Sequence, residues 1–173
     1  MQADIRHCIE AGCDGIVTGI LTSDGHVDKE RCTMLVRLAK QFGLGVTFHR
    51  AFDVCADQYQ ALEDIIEIGF ERILTSGGKT TAMEGATVIA HLVEKAAGRI
   101  SIMPGCGITD HNVADLIHFT GVTEIHSSAK VHVDSKMKYH NDHIIMGSYY
   151  GDEYNFNITN KEKVSEILRL ANS

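Results

Sequence analysis

The chain has 173 residues, of which 44% are hydrophobic and 23% are charged, and these proportions are close to those of an average globular protein. This length is enough for one domain and too short for two ordinary ones. No apolar run approaches the ~18–20 residues that a membrane-spanning helix needs. The net charge of −7, without a dense block of Lys or Arg, argues against binding to a nucleic-acid backbone. We therefore expect a single globular domain, with neither nucleic acid nor membrane among its partners.

The cysteines give no sign of a disulfide framework or of a zinc ribbon. Their number is odd and no Cys-x-x-Cys pair occurs, and the N-terminus lacks the charged-then-apolar pattern of a secretory signal. We expect reduced thiols and a cytoplasmic protein, with the nucleus as the other possible compartment. The five residues are Cys8, Cys13, Cys32, Cys55 and Cys106, and of these Cys32 and Cys55 are expected to pack as small apolar side chains.

Short apolar, β-branched runs recur along the first three quarters of the chain. They cover residues 15–19, 45–49, 72–76, 99–103 and 123–127, with starts about 24 to 30 residues apart. This period is the length of one strand, one helix and their two loops. Because the runs are apolar on both faces, they are typical of parallel strands that are covered on both sides.

The segments between these runs have the apolar period of amphipathic helices. Asp57 and Gly69 are expected to begin and end one of them, and Gly121 to end another. Thr81-x-x-Glu84 and Thr159-x-x-Glu162 have the capping-box pattern that opens a helix. Residues 4–10 are expected to belong to a first helix that ends at Gly12. The order is thus one helix and then five strand–helix units, which predicts an α/β fold with parallel strands.

Residues 130–158 do not follow this rhythm, because they are polar and rich in aromatic side chains. The segment is too long for a plain connection in a compact domain. We interpret it as an ordered excursion before the C-terminal helix, within one domain that covers residues 1–173.

Polar and small residues collect where the predicted strands end. Ligands of parallel α/β folds meet the loops at the carboxyl ends of the strands, so these residues are candidates for ligand binding. They are Thr75, Ser76, Gly105, Gly107, His126, Ser127 and Ser128.

The densest of these elements is Phe-His-Arg-Ala-Phe-Asp, residues 48–53. In a functional interpretation, Arg50 binds an anionic group while His49 or Asp53 transfers a proton. In a structural interpretation, Arg50 and Asp53 form an ion pair that braces the loop, and His49 is a hydrogen-bonded lining residue. The catalytic candidates are therefore His49, Arg50 and Asp53.

The Gly105-Cys106-Gly107 turn precedes a predicted helix and is a second place where an anion could bind. Backbone N–H groups reach a phosphate or carboxylate where side chains are absent, although such a turn is often only a tight turn. Cys106 and His126 are weak candidates for a soft metal ion. His140-x-x-His143 is another weak candidate, and the spacing of Cys8 and Cys13 across a helix end predicts a poor shared site.

Several of these segments together resemble the CutC family, whose members are described in copper homeostasis. The resemblance covers nearly the whole chain and depends most on the string at 46–53. It also includes segments 21–28, 72–77, 103–108 and 124–129 and, more loosely, 135–138. It implies a (βα)8 TIM-barrel fold, a cytoplasmic protein and a link to copper.

The chain departs from the family pattern in two respects. Cys106 stands where the family usually has glycine, and the first three strands of the family precede the residue aligned with Met1. We therefore expect an incomplete TIM-type barrel of about five βα units, and possible self-association through its exposed edges.

Three functions follow as alternatives. The resemblance implies a copper-homeostasis protein that binds or handles Cu(I). The strand-end residues favour a barrel enzyme or sensor for a small anionic metabolite. The missing strands would suit a non-catalytic interaction module.

Overall fold

The computed structural model describes residues 1–141, 143–144 and 154–173. Contacts divide the chain into two compact units, residues 1–127 and 128–173. The helices are α1 Gln2–Glu10, α2 Lys29–Gln41, α3 Gln58–Ile68, α4 Ala86–Ala96, α5 Val113–Thr120 and α6 Lys161–Ala171, with a 3₁₀ helix at Arg50–Val54. The strands are β1 Gly15–Thr18, β2 Gly45–Phe48, β3 Arg72–Thr75, β4 Ser101–Pro104, β5 Lys130–Asp134 and β6 Asn155–Thr159.

The first unit is built on a parallel sheet with the strand order β1-β2-β3-β4. Each strand is followed by a helical segment, so that successive strands can run in the same direction. The α/β class and the parallel sheet are confirmed. Among the described residues these strands form an open sheet, as an incomplete barrel requires.

The two faces of this sheet differ in burial. The register places Phe48 beside Ile73 and Ile73 beside Ile102, and all three side chains are at most 4% exposed. The opposite face carries Arg72, and at the outer strand it carries Val17, which is 63% exposed. The prediction that both faces are covered is therefore wrong at β1. Alternation along a strand explains the difference, because neighbouring residues point to opposite faces.

Most of the predicted helix ends are confirmed. The Asp57 carboxylate accepts the first N–H groups of α3, and Gly69 ends that helix with φ 96°. Thr81 and Glu84 exchange side-chain-to-backbone hydrogen bonds, which is the reciprocal pattern of a capping box. The prediction that this box opens a helix is wrong, because it lies in a turn and α4 begins at Ala86, after Gly85, which makes no side-chain cap. The prediction for Thr159-x-x-Glu162 is wrong, because the side chain of Asn160 caps α6 one residue later.

The fifth predicted strand, residues 123–127, is absent from the sheet. Only one bridge forms, between Gly105 and His126, in which the His126 N–H donates to the Pro104 carbonyl at 2.9 Å. A parallel ladder needs repeated bonds along both strands. Here the next residue, Ser127, instead donates its hydroxyl to the carbonyl of Ile108 at 2.7 Å. A β-branched composition alone therefore did not make a strand.

The second unit contains an antiparallel pair, β5 and β6, and the helix α6. The excursion predicted at 130–158 thus begins and ends in paired strands, while residues 142 and 145–153 lie outside the described residues. In the part of the chain that the structure describes, no helix is long and apolar enough to cross a membrane.

Candidate functional site at the strand ends

The site is built where β2 stops and the chain turns into the 3₁₀ helix. β2 ends at Phe48, and His49 caps the 3₁₀ helix with its imidazole. Phe52 is fully buried and anchors this turn in the core. Because the strand ends before His49, the strict alternation of a strand no longer separates His49 from Arg50. Both side chains can therefore lie at the carboxyl end of the sheet.

Asp53 is the centre of the hydrogen-bond network at this end. Its Oδ1 accepts from Thr75 Oγ1 at 2.5 Å, from the Ser76 N–H at 2.9 Å and from the Gly78 N–H at 3.1 Å. The side chain is only 7% exposed. Burial alone would raise the pKa of Asp53, but the donors from Thr75, Arg50, Gly78 and Ser76 outweigh it and hold the pKa below its usual value.

Arg50 extends this network towards solvent. Its Nε donates to Asp53 Oδ2 at 2.7 Å and its Nη2 donates to Ser76 Oγ at 2.7 Å. The side chain is 42% exposed. Hydrogen bonding to Asp53 is the main reason why the pKa of Arg50 is raised, and the Cys106 side chain contributes as well. The ion pair of the structural interpretation is therefore present, and an exposed part of the guanidinium remains beside Cys106.

The hydrogen bond of His49 limits what its imidazole can do. Nδ1 accepts from the Ala51 N–H at 3.2 Å, so the neutral ring carries its proton on Nε2. In this arrangement Nε2 is a hydrogen-bond donor for a ligand oxygen. It is not a proton acceptor or a metal ligand unless the cap of the 3₁₀ helix is lost.

The Gly105-Cys106-Gly107 turn lies beside this network. Cys106 and Gly107 both have left-handed backbones, with φ 82° and 74°, which is uncommon for a residue with a side chain. The Cys106 thiol donates to the Thr80 carbonyl at 3.1 Å. The backbone N–H groups of Cys106 and Gly107 make no hydrogen bond with the rest of the described chain. A Cβ at Gly105 would lie 2.6 Å from Leu74 Cδ1, so a larger residue here would displace the end of the Leu74 side chain.

The structure brings some of the predicted ligand-binding residues together, but their polar groups make hydrogen bonds within the protein. Thr75 and Ser76 are fully buried and donate to Asp53. Ser127 is committed to the Ile108 carbonyl, and His126 bridges to Gly105 through its backbone. Ser128 belongs to the second unit, where its carbonyl accepts from Thr159 Oγ1 at 3.2 Å.

The loop after β3 contains two site residues, Gly78 and Gly85, that the sequence analysis missed. Gly77 and Gly78 have left-handed backbones, with φ 68° and 69°, and this turn aims the Gly78 N–H at Asp53. Gly85 packs so closely on the loop that a Cβ there would overlap the Ser76 carbonyl oxygen. The Gly-Gly pair after an apolar run was the available signal, because adjacent glycines mark a turn.

The other metal candidates receive little support from the geometry. In the described part of the chain no group of three or more His, Cys, Asp or Glu side chains is arranged to hold a metal ion. His140 instead stacks on Tyr154 with ring centres 3.8 Å apart. Cys32 is fully buried, as expected, and burial raises the pKa of Cys55 to about 11.

Comparison with known proteins decides the family. The sequence profile of the CutC family matches residues 1–131. This chain belongs to the CutC family. A mouse protein named copper homeostasis protein cutC homolog is 46% identical over 172 residues, which are 99% of this chain and 62% of the mouse protein. A CutC family protein from Histophilus somni is 43% identical over 98% of this chain and 69% of its own length.

The crystal structure of CutC from Streptococcus agalactiae has a similar fold. It superimposes with a TM-score of 0.67 and 37% sequence identity, over 72% of this chain and 60% of the streptococcal chain. The present CutC chain thus spans about three fifths of the length of the mouse relative and of this structure. The resemblance found in the sequence is confirmed.

Proposed function

We propose that this CutC chain takes part in copper homeostasis in the cytoplasm by binding or handling Cu(I). Its membership of the CutC family carries the proposal, because the mouse relative is named for copper homeostasis. The chemistry of the strand ends is compatible with it, since thiolates are preferred ligands of Cu(I). Cys106 supplies a half-buried thiol at this end of the sheet, and the guanidinium of Arg50 beside it would offset the charge of a thiolate.

Anaerobic titration with Cu(I) against a competing chromophoric chelator tests this proposal. We expect the wild-type chain to take Cu(I) from the chelator, and Cys106→Ser to weaken or remove one bound ion. Cys55→Ser is the matched control, because it removes another half-buried thiol from outside the Gly105–Gly107 turn. Failure of the wild-type chain to bind Cu(I) would contradict the proposal, and an unchanged titration of Cys106→Ser would exclude this thiol as a ligand.

The strand ends also support a second candidate, a site for a small anionic ligand of an enzyme or sensor. Its support is the partly exposed Arg50 side chain together with the N–H groups of Cys106 and Gly107, which have no hydrogen-bond partner among the residues that the structure describes. His49 would add its Nε2–H as a further donor. All of these groups donate hydrogen bonds, which suits phosphate or carboxylate oxygens.

A thermal-shift screen of phosphates and carboxylates tests the anion site, because a ligand that binds only the folded state raises the melting temperature. We expect Arg50→Lys to abolish the shift, since a Lys ammonium cannot reproduce the planar fork of Arg. Its own stability should stay within about 1 kcal/mol of wild type, because the Arg50 side chain is 42% exposed and Lys keeps the positive charge. An equal shift in Arg50→Lys, or a large loss of stability, would assign Arg50 a bracing role instead.

A further inference from the structure

The end of α1 brings two cysteines into contact. Gly12 has a left-handed backbone with φ 73°, and its N–H donates to the Ile9 carbonyl at 3.1 Å. The Cys13 N–H donates to the Cys8 carbonyl at 3.0 Å. These two bonds are the 5→2 and 6→1 bonds of a Schellman motif, in which the side chain before the turn packs on the side chain after it. Most helices use apolar residues there, whereas this one uses two thiols.

The backbone geometry sets a limit on the separation of the two cysteines. With a 3.0 Å bond between the Cys13 N–H and the Cys8 carbonyl, their Cα atoms lie no more than about 7 Å apart by standard bond lengths. Burial raises the pKa of the Cys8 thiol, and the neighbouring Cys13 thiol raises it further. The backbone thus places the two residues closer together than their spacing along a helix predicts. On a regular helix, residues five apart point in different directions, but the turn at Gly12 reverses the chain.

We propose that Cys8 and Cys13 form a two-thiolate binding site for Cu(I), distinct from the strand-end cluster. The proposal rests on the proposed function and names a second place at which the chain would hold the ion. Binding replaces two S–H bonds by two Cu–S bonds and releases two protons to solvent, and no electron is transferred. Structural zinc needs four ligands, and among the described residues no group of three or more ligands exists. A pair of soft donors therefore favours Cu(I).

The surroundings disfavour oxidation of this pair to a disulfide. The C-terminal end of a helix carries a partial negative charge, and the carboxylate of Asp4 raises the pKa of the Cys8 thiol further. Both effects disfavour the free thiolate that starts thiol oxidation. Cys8 also lines a cleft of about 330 Å³, bounded by Met1, Asp4, Ile5 and the residues of β1. One thiol is half-buried and the other is exposed, so an ion can be delivered from solvent.

The test combines alkylation of single cysteines with Cu(I) titration of the full chain under anaerobic conditions. Mass spectrometry follows iodoacetamide modification of each cysteine in the wild type, with and without one equivalent of Cu(I). We expect Cu(I) to slow the modification of both Cys8 and Cys13 by about tenfold or more, because ligating thiolates are withdrawn from reaction. Cys8→Ser/Cys13→Ser should lose one bound ion. Cys55→Ser/Cys106→Ser, which removes two other thiols, should keep the protection of Cys8 and Cys13.

The outcomes distinguish failure of the two-thiolate site from failure of the proposed copper role. If the wild type binds Cu(I) while Cys8 and Cys13 react at unchanged rates, the two-thiolate site is refuted and the copper role remains. If the wild type binds no Cu(I), both fail. If Cu(I) gives no protection and air converts the pair to a disulfide, with a mass loss of about 2 Da, the pair is a redox couple and the metal site is refuted. The alkylation arm uses the wild-type chain, so it does not depend on the folding of a variant.

Discussion

Replacing Asp53 by Asn tests whether this carboxylate organises the strand ends. Three donors from Thr75, Ser76 and Gly78 converge on its Oδ1. Bonds to a charged acceptor contribute about 1 kcal/mol more than bonds to a neutral one, so the loss of charge weakens the three bonds by about 3 kcal/mol in total. The amide nitrogen would then face Arg50 Nε, which also donates. Because Arg50 is half exposed, the loss of the ion pair itself adds little.

We therefore expect Asp53→Asn to lower the free energy of unfolding by about 3 kcal/mol and the melting temperature by about 6–12 °C. Urea denaturation followed by circular dichroism measures the first quantity. Asp57→Asn is the matched control, since Asn caps a helix as well as Asp does, and its stability should hardly change. A loss below about 1 kcal/mol for Asp53→Asn, equal to that of an ordinary surface change, would refute the central role of this carboxylate.

The effect of Asp53→Asn should also depend on pH. The pKa of Asp53 is held below its usual value in the folded chain, while an unfolded Asp titrates near about 3.9. Its carboxylate therefore stabilises the fold fully above the unfolded pKa, and this contribution is lost as the pH falls through the lower, folded pKa. We expect the difference between wild type and variant to be constant from pH 7 to about pH 5 and to shrink below about pH 4. A difference that stays the same at acid pH would contradict this account.

Three further substitutions and one control test other parts of the structure. Gly85→Ala should lower stability by about 2–4 kcal/mol, because a Cβ would overlap the Ser76 carbonyl. Gly43 has φ 75° and open space around it, so the control Gly43→Ala should lower stability by only about 1 kcal/mol. Equal losses of stability for the two variants in urea denaturation would contradict the close packing of Gly85. Asn160→Ala should remove the side-chain cap of α6 and increase amide hydrogen exchange in the first turn of that helix by about fivefold, equivalent to about 1 kcal/mol. An unchanged exchange rate would show that the cap does not stabilise this end of the helix. Val17→Lys, on the exposed edge strand, should reduce any self-association seen by size-exclusion chromatography, and unchanged association would exclude this edge.

The sequence was sufficient for the features that depend on local chemistry. The spacing of the apolar runs predicted four of the parallel strands. Each strand and the helix that follows it bury apolar residues, so strand-like and helix-like apolar patterns alternate along the sequence. Asp57 and Gly69 marked helix ends because a capping side chain and a left-handed residue act within one turn. The string at 48–53 was also singled out correctly as the densest polar element, and it carried the family resemblance that the comparisons confirm.

Tertiary structure alone decided which of these groups meet. The fifth run has a strand-like composition, but it makes only one bridge, since pairing depends on a partner distant in sequence. The string at 48–53 predicts Asp53 as a proton carrier or a brace, but the donors of Thr75, Ser76 and Gly78 that surround it come from the end of β3 and the loop after it. The spacing of Cys8 and Cys13 predicts a poor shared site, whereas the turn at Gly12 reverses the chain and brings the Cys13 N–H onto the Cys8 carbonyl. Sequence specifies each residue's local preference, but contacts between side chains depend on where the backbone takes them.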